Sequence, residues 1–382
     1  MKNRFLILLS FVLIVGRDVV CANTSMVRER ININRDWRYQ IDDPDRTGAA
    51  LHYSQLKPYL LPCANDFIIF GKRYQRPEGN PGENIAYVKS DFDDSEWRHL
   101  NLPHDWAIEG PFNIDYNGST GKLPYWGIRW YRKTLELSQD DAGKQIYLDI
   151  DGAMSYVSVW CNGQYVGGWP YGYASFRLDL TPYIKAGQKN VLAIRLDNPD
   201  DTSRWYPGSG IYRNVWLVKT SPVHVEQWGT FVRNQQVDSE IAVMEMGVNI
   251  ENHAGKDVQV KLQTSVYLQG KDGRPVGEEV AQSMAKNIAI KKDSWSSVRF
   301  QFKVDKPKLW DIDTPNCYVA VSRVFIDGKE MDSYETPFGI RTIEFTHDQG
   351  FMLNGQKVAI KGVCMHHDLG ALGAAFNEVA AE

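Results

Sequence analysis

His366, His367 and Asp368 are three consecutive side chains that can donate, accept or carry charge, set between the apolar run Val358–Val363 and glycines at 370 and 373. Two imidazoles and a carboxylate suit a metal ion. Adjacent histidines on an extended strand point to opposite faces, so one ion would reach both only across a bend. Holding neighbouring protein groups by hydrogen bonds is another use. Arg204, Trp205 and Tyr206 join a guanidinium to two aromatic rings, a set that can stack on a flat ligand ring or pack against another domain. Asp197, followed by Asp200 and Asp201, is either a carboxylate reaching into a site or the head of an Asx turn. His104-Asp105 has the form of an acid–base dyad, but no nucleophile accompanies it, and it reads as a turn with a hydrogen-bonded histidine.

The elements that must position these groups are mostly strands. Asn354-Gly355 is a two-residue hairpin signal, since a type I′ turn needs positive φ at both central positions. Val358–Val363 then reads as a short strand buried on both faces, with His366–Asp368 on the loop at its C-terminal end, where sheets with helical crossovers keep their chemistry. Ala374–Glu382 reads as a helix, so that 338–382 forms one strand–loop–helix unit. Upstream, residues 23–222 hold seven or more short alternating strands, among them Gly127–Glu136, Gln145–Ile150 and Asn190–Leu196, with Asn162-Gly163 as a second hairpin turn. No long amphipathic helix interrupts them, which predicts a two-sheet sandwich of jelly-roll type. Residues 223–337 repeat the pattern at the length of an immunoglobulin-like sandwich without a disulfide pin, in the role of a spacer. Trp126, Trp130 and Trp160 are expected in cores or between domains.

The net charge of −4 over 382 residues argues against nucleic acid or an anionic membrane surface as partner. Twelve Trp and nineteen Tyr are many for this length and suit both sheet cores and ring-stacking surfaces. Residues 1–22 read as a signal peptide: Lys2 and Arg4, an apolar stretch from Phe5 to Val15, and small residues for cleavage after Ala22. The apolar stretch is too short to span a bilayer. Val20 is a poor neighbour for lipidation of Cys21, so a periplasmic or secreted protein is expected. The other cysteines, Cys63, Cys161, Cys317 and Cys364, have neither disulfide-framework nor zinc spacing.

In this order, the motifs resemble glycoside hydrolase family 2, the β-galactosidase, β-glucuronidase and β-mannosidase group. The resemblance rests on Gly127-Ile-Arg-Trp-Tyr-Arg-Lys133, Asn162-Gly163 with Tyr173–Leu180, Arg204–Arg213, Phe338-Gly-Ile-Arg341 and Leu353–Gly370, the last being most like β-galactosidases. It covers nearly all of the chain after residue 22. It implies a sugar-binding jelly roll, an immunoglobulin-like sandwich and the start of a (β/α)8 barrel. It also implies retaining, exo-acting hydrolysis of terminal β-linked sugars by two glutamates about 5–5.5 Å apart. A full barrel takes ~250 residues, and the carboxylates after Gly350 are Asp368, Glu378 and Glu382 alone, so neither catalytic glutamate has a counterpart here. The chain is expected to be an N-terminal portion of such an enzyme; the alternatives are a self-standing carbohydrate-binding protein or a spacer. By the resemblance His366 would bond a sugar hydroxyl, His367 and Asp368 would shape the pocket, and Asp197, Arg204 and Trp205 would reach it from the jelly roll. The implied partner is a β-linked glycan, with homo-oligomers known in the family. No cofactor is implied, and whether intact homologues take a metal ion is left open.

Overall fold

The computed structural model describes residues 27–68, 71–200, 203–364 and 366–382. The expected signal peptide and Cys21 lie outside them. The described chain is mainly β, and none of its helices is long and apolar enough to cross a membrane.

Two antiparallel sheets form the first unit. One runs Arg98–Leu100, Trp37–Ile41, Gly127–Glu136, Lys189–Asn198, Val157–Cys161, Gln164–Trp169; the other runs Glu29–Asn32, Val215–Thr220, Gln145–Ile150, Phe176–Asp179. Side chains alternate across a strand. Tyr131 and Ile194 therefore face inward, meeting Leu148, Ile150, Phe176 and Leu217 of the opposite sheet. Trp130 and Ala193, one position away, face outward. That outer face is covered as well, by Leu51, Leu56, Leu60, Ile85, Val88 and Trp97 from the segment preceding Arg98. A helix, Tyr53–Leu60, lies in this third layer, with Leu56 and Leu60 buried. The sequence gives no amphipathic signal for it.

The outer layer is pinned by charge. Arg195 holds Asp43 through two hydrogen bonds of 2.8 and 2.9 Å, and Asp43 also accepts from Trp130 Nε1 at 2.9 Å. Arg132 donates one bond to Asp94 at 2.7 Å and another to the Tyr87 carbonyl. Both guanidiniums are almost wholly buried, and a buried cation survives only when paired. Trp130 and Trp160 are fully buried under this layer, and Trp126 is half-buried against Tyr116.

The second unit is a smaller sandwich. Val223–Val237, Ile241–Asn252 and Ser294–Asp305 face a sheet in the order Pro275–Gln282, Val258–Gln269, Tyr318–Ile326, Lys329–Phe338, with Lys286–Ile290 also paired to Val258–Gln269. Its core runs on past Pro337: Ile340 is fully buried and Phe338 stacks on Tyr318 at 5.6 Å. Arg28, ahead of the first strand, reaches across to the second unit. It donates to both oxygens of Asp332 at 2.9 and 2.8 Å and to the Val225 carbonyl at 2.6 Å.

A three-stranded sheet follows, Ile343–Thr346, Gly350–Leu353 and Gln356–Lys357. Its tight turn is Asn354-Gly355, with φ of 50° and 76°. The expected buried strand at Val358–Val363 does not form: the run has no ladder, and Ile360 and Val363 are 71% and 94% exposed. An apolar run becomes a strand only where a neighbour satisfies its amides; the Val358 amide reaches the Phe351 carbonyl at 3.0 Å, and among the described residues no strand is paired with 359–363. The helix expected at Ala374–Glu382 is shorter, Glu378–Ala381, begun by Asn377, whose side chain accepts from the Ala380 amide. The Phe376 amide is instead bonded to the Tyr212 carbonyl at 2.9 Å, and 375–377 stay outside the helix.

Candidate functional site

Two loops of the first unit and the C-terminal segment build one surface. The first loop, after Gln164–Trp169, carries Tyr171 and Tyr173. The second, before Val215–Thr220, carries Arg204 to Tyr212. Ser203 starts the second by bonding the Trp205 carbonyl at 2.8 Å. Asn198 then ties Gly208 to the sheet, its side-chain NH2 donating to the Tyr125 and Gly208 carbonyls at 2.8 and 3.2 Å. Gly208 has φ of +68°, and a methyl there would fall on Ala374 of the C-terminal segment. Glycine is required at this approach.

On this frame Trp205 Nε1 donates to the Tyr173 hydroxyl at 3.0 Å. The Tyr171 and Tyr173 rings are 5.6 Å apart, and Tyr171 and Trp205 are 60% and 40% exposed. His367 sits edge-on to Tyr173 at 5.3 Å, 5.5 Å from Tyr212, and its Nε2 donates to the Pro207 carbonyl at 2.8 Å. That bond fixes the proton on Nε2. His366 is exposed beside Trp205, ring centres 6.4 Å apart. Asp368 is half-buried, its charge felt by Tyr206. Arg204 is exposed on the second loop.

Behind this surface lies Asp105. It is 2% exposed. Its Oδ1 accepts from the Ala107 amide at 3.0 Å, and its Oδ2 from the Tyr206 hydroxyl at 2.5 Å and the Ala374 amide at 2.8 Å. Burial raises its pKa above the usual carboxylate range, while these three donors pull the other way. Burial and the Asp105 charge raise the Tyr206 phenol well beyond its ordinary value. His104 turns away, Nδ1 to the Tyr131 hydroxyl at 2.8 Å and Nε2 to Glu109 at 3.1 Å. The pair is no dyad: one side chain serves the sheet, the other the site.

Of the residues the sequence singles out, His366, His367, Asp368 and Trp205 come together, with Arg204 on the same loop. Asp197 does not join them. Asn198 faces the site, so Asp197, its neighbour on Lys189–Asn198, faces the outer layer, 3.3 Å from Arg195 and beside Tyr53 and Tyr156. Tyr173 and Tyr212 are residues that sequence reasoning missed, and Asp105, read from the sequence as part of a turn, joins them. The pair of aromatics in Tyr171-Gly-Tyr173 is the signal that could have pointed to Tyr173. Among the described residues no three His, Cys, Asp or Glu side chains group as metal ligands. Exposed rings flanked by imidazole, carboxylate and guanidinium can stack on a hydroxyl-rich ring and bond its edges.

Comparison with known proteins identifies the same architecture. Residues 87–221 match the family model "Glycosyl hydrolases family 2, sugar binding domain", and residues 223–341 match "Glycosyl hydrolases family 2". A Bacteroides ovatus protein, beta-galactosidase BoGH2A, is 40% identical over 369 residues, covering 95% of this chain and 38% of that protein. A beta-glucuronidase of Formosa agariphila is 28% identical over 294 residues, covering 71% of this chain and 29% of that protein. The chain thus spans well under half the length of these relatives. A solved family 2 member from Bacteroides cellulosilyticus superposes with a TM-score of 0.76 at 30% identity, over 92% of this chain and 40% of that one. A beta-glycosidase from Bacteroides vulgatus does so with a TM-score of 0.70 at 32% identity, over 91% and 38%. With two adjacent family 2 domains matched in sequence and the same fold in solved members, the chain belongs to glycoside hydrolase family 2.

Proposed function

We propose that this chain is the sugar-facing, non-catalytic N-terminal part of a retaining, exo-acting β-galactosidase that removes terminal β-linked sugars from glycans. The observation that carries the reading is the joining of His366 and His367 to Tyr173 and Trp205, one face made by two separate parts of the chain. The β-galactosidase name of the Bacteroides ovatus relative favours galactose. In this reading the first unit is a jelly roll, the second an immunoglobulin-like sandwich, and Val358–Ala374 the opening strand and loop of a (β/α)8 barrel. A strand flanked on both sides in a closed barrel would explain why Ile360 and Val363 are apolar yet exposed here. His366 would bond a sugar hydroxyl and steady charge in the transition state, a role that does nothing without the two carboxylates. We also propose export from the cytoplasm with cleavage after Ala22, which N-terminal sequencing of the secreted protein checks.

The exposure of Tyr171 and Trp205 also favours sugar binding by the chain itself. The test is to titrate the chain with methyl β-D-galactoside and methyl β-D-glucuronide while following tryptophan fluorescence, and to assay the nitrophenyl glycosides of both sugars. Expected are no turnover and a galactoside-dependent signal absent from Trp205→Phe. Turnover lost on His366→Ala would overturn the non-catalytic assignment, and preference for the glucuronide would overturn the galactose assignment.

A further inference from the structure

Three parts of the chain, far apart in sequence, meet at one carboxylate oxygen. Oδ2 of Asp105 takes the Tyr206 hydroxyl from the aromatic loop and the Ala374 amide from the C-terminal segment, while Oδ1 takes the Ala107 amide from its own turn. The Asp105 turn is itself fixed, because the His104 amide bonds the Ile211 carbonyl at 2.9 Å and the Leu102 amide bonds the Asn34 carbonyl at 2.8 Å. The segment 366–376 arrives with few other ties. They are His367 to the Pro207 carbonyl, Phe376 to the Tyr212 carbonyl, the rings of His367 and His366 against Tyr173, Tyr212 and Trp205, and the apolar contact of Ala374 with Met154 and Tyr212. Space is as tight as the bonding: Gly373 has φ of +59°, and a Cβ there would collide with Asp105 Oδ2.

We propose that Asp105 is the positioning residue of the sugar site, docking the segment that carries His366 and His367 against the loop that carries Trp205. The proposal rests on the sugar-site reading for its functional meaning, though not for its structural content. The three partners of Asp105 are all donors, and a carboxylate is acceptor-only. No neutral isostere reproduces this. Asparagine in the same place turns its NH2 toward at least one amide, either that of Ala107 or that of Ala374. A phenol can rotate its hydrogen away, but a backbone amide cannot. Removing the Tyr206 hydroxyl instead leaves both amide bonds in place, so it should perturb the docking less.

The experiment is amide hydrogen exchange on the full chain for wild type, Asp105→Asn and Tyr206→Phe, read at Ala107, Ala374 and Phe376. Amides of the first core, such as Tyr131 and Leu217, serve as the internal reference, and methyl β-D-galactoside affinity is measured in parallel. Asp105→Asn is expected to speed exchange at Ala107, or at Ala374 with Phe376, on the order of 10- to 100-fold, with the core amides unchanged. Tyr206→Phe should have a smaller effect in the same direction and weaken sugar binding less than Asp105→Asn does. Unchanged exchange at both Ala107 and Ala374 in Asp105→Asn would overturn the proposal. If that variant fails to fold, unchanged exchange at Ala374 in Tyr206→Phe would overturn it. Faster exchange with no sugar binding by any form, wild type included, would support the docking role and remove the sugar-site reading instead.

Discussion

Gly208→Ala tests whether the C-terminal segment is held to the first unit as a separable piece. Two costs follow from the geometry. At φ of +68° an alanine pays roughly 1–2 kcal/mol in left-handed strain. The new methyl also lands on Ala374, and overpacking of that kind costs about 1–3 kcal/mol. Against this stand the bonds that dock the segment: Ala374 to the Asp105 carboxylate, about 1.5–3 kcal/mol, and two neutral bonds of about 0.5–1.5 kcal/mol each. The clash is comparable to the whole docking energy, whereas the first unit is held by a separate, much larger core. The segment should therefore lift away while the sandwich stays folded. Amide exchange at Ala374 and Phe376 should accelerate by on the order of 10- to 100-fold. The main melting transition should shift by only a few degrees, about 2–4 °C, from the backbone strain left behind. Unchanged protection at both amides together with a large fall in Tm would refute this, because it would mean that segment and sandwich are one cooperative unit.

Other expectations can be checked by denaturation. Arg195→Met strands the buried Asp43 carboxylate and should cost about 3–5 kcal/mol in urea unfolding, while Arg195→Met with Asp43→Asn should recover most of the loss. Asp141 is pushed up by burial but pulled further down by hydrogen bonds from Lys219 and Lys144, so its folded pKa lies below its unfolded one. The unfolded chain then binds the proton first as pH falls. The stabilisation is complete above about pH 5 and is lost as pH drops through the folded pKa. Asp141→Asn should flatten the stability profile between about pH 5 and 2. Ending the chain after Arg341 should leave the second unit's stability unchanged, whereas ending it after Pro337 removes Phe338 and Ile340 and should lower it by about 2–5 kcal/mol for the buried isoleucine alone. Equal melting of the two truncations would place those side chains outside the core.

Much of the fold is legible in the sequence because its signals are local. Asn162-Gly163 and Asn354-Gly355 both adopt the positive φ that their types permit, and strand alternation marks most of both sandwiches. What escapes is whatever depends on a surface supplied from elsewhere. The helix Tyr53–Leu60 contains Pro58 and buries two side chains, so its reason to exist is the outer face of the sheet beneath it. Val358–Val363 has the composition of a strand and lacks a neighbour. At the candidate site, His366, His367, Asp368 and Trp205 were findable by type and crowding. Asp197 and Asp105 could not be ranked from sequence, because the parity of one strand turns the first away, and the second acquires its partners only when residues 206 and 374 arrive.

The tie from Arg28 to Asp332 has a consequence for how the protein comes to exist. Ribosomes deliver a chain from its N-terminus. The strand Glu29–Asn32 nevertheless pairs with Val215–Thr220, and Arg28 pairs with a carboxylate delivered later still. The earliest of the described residues to emerge are thus among the last to find their places. Until Asp332 follows, Arg28 is a cation without its counter-ion and the strand beside it an open edge, a length of chain that waits unpaired while the rest is synthesised.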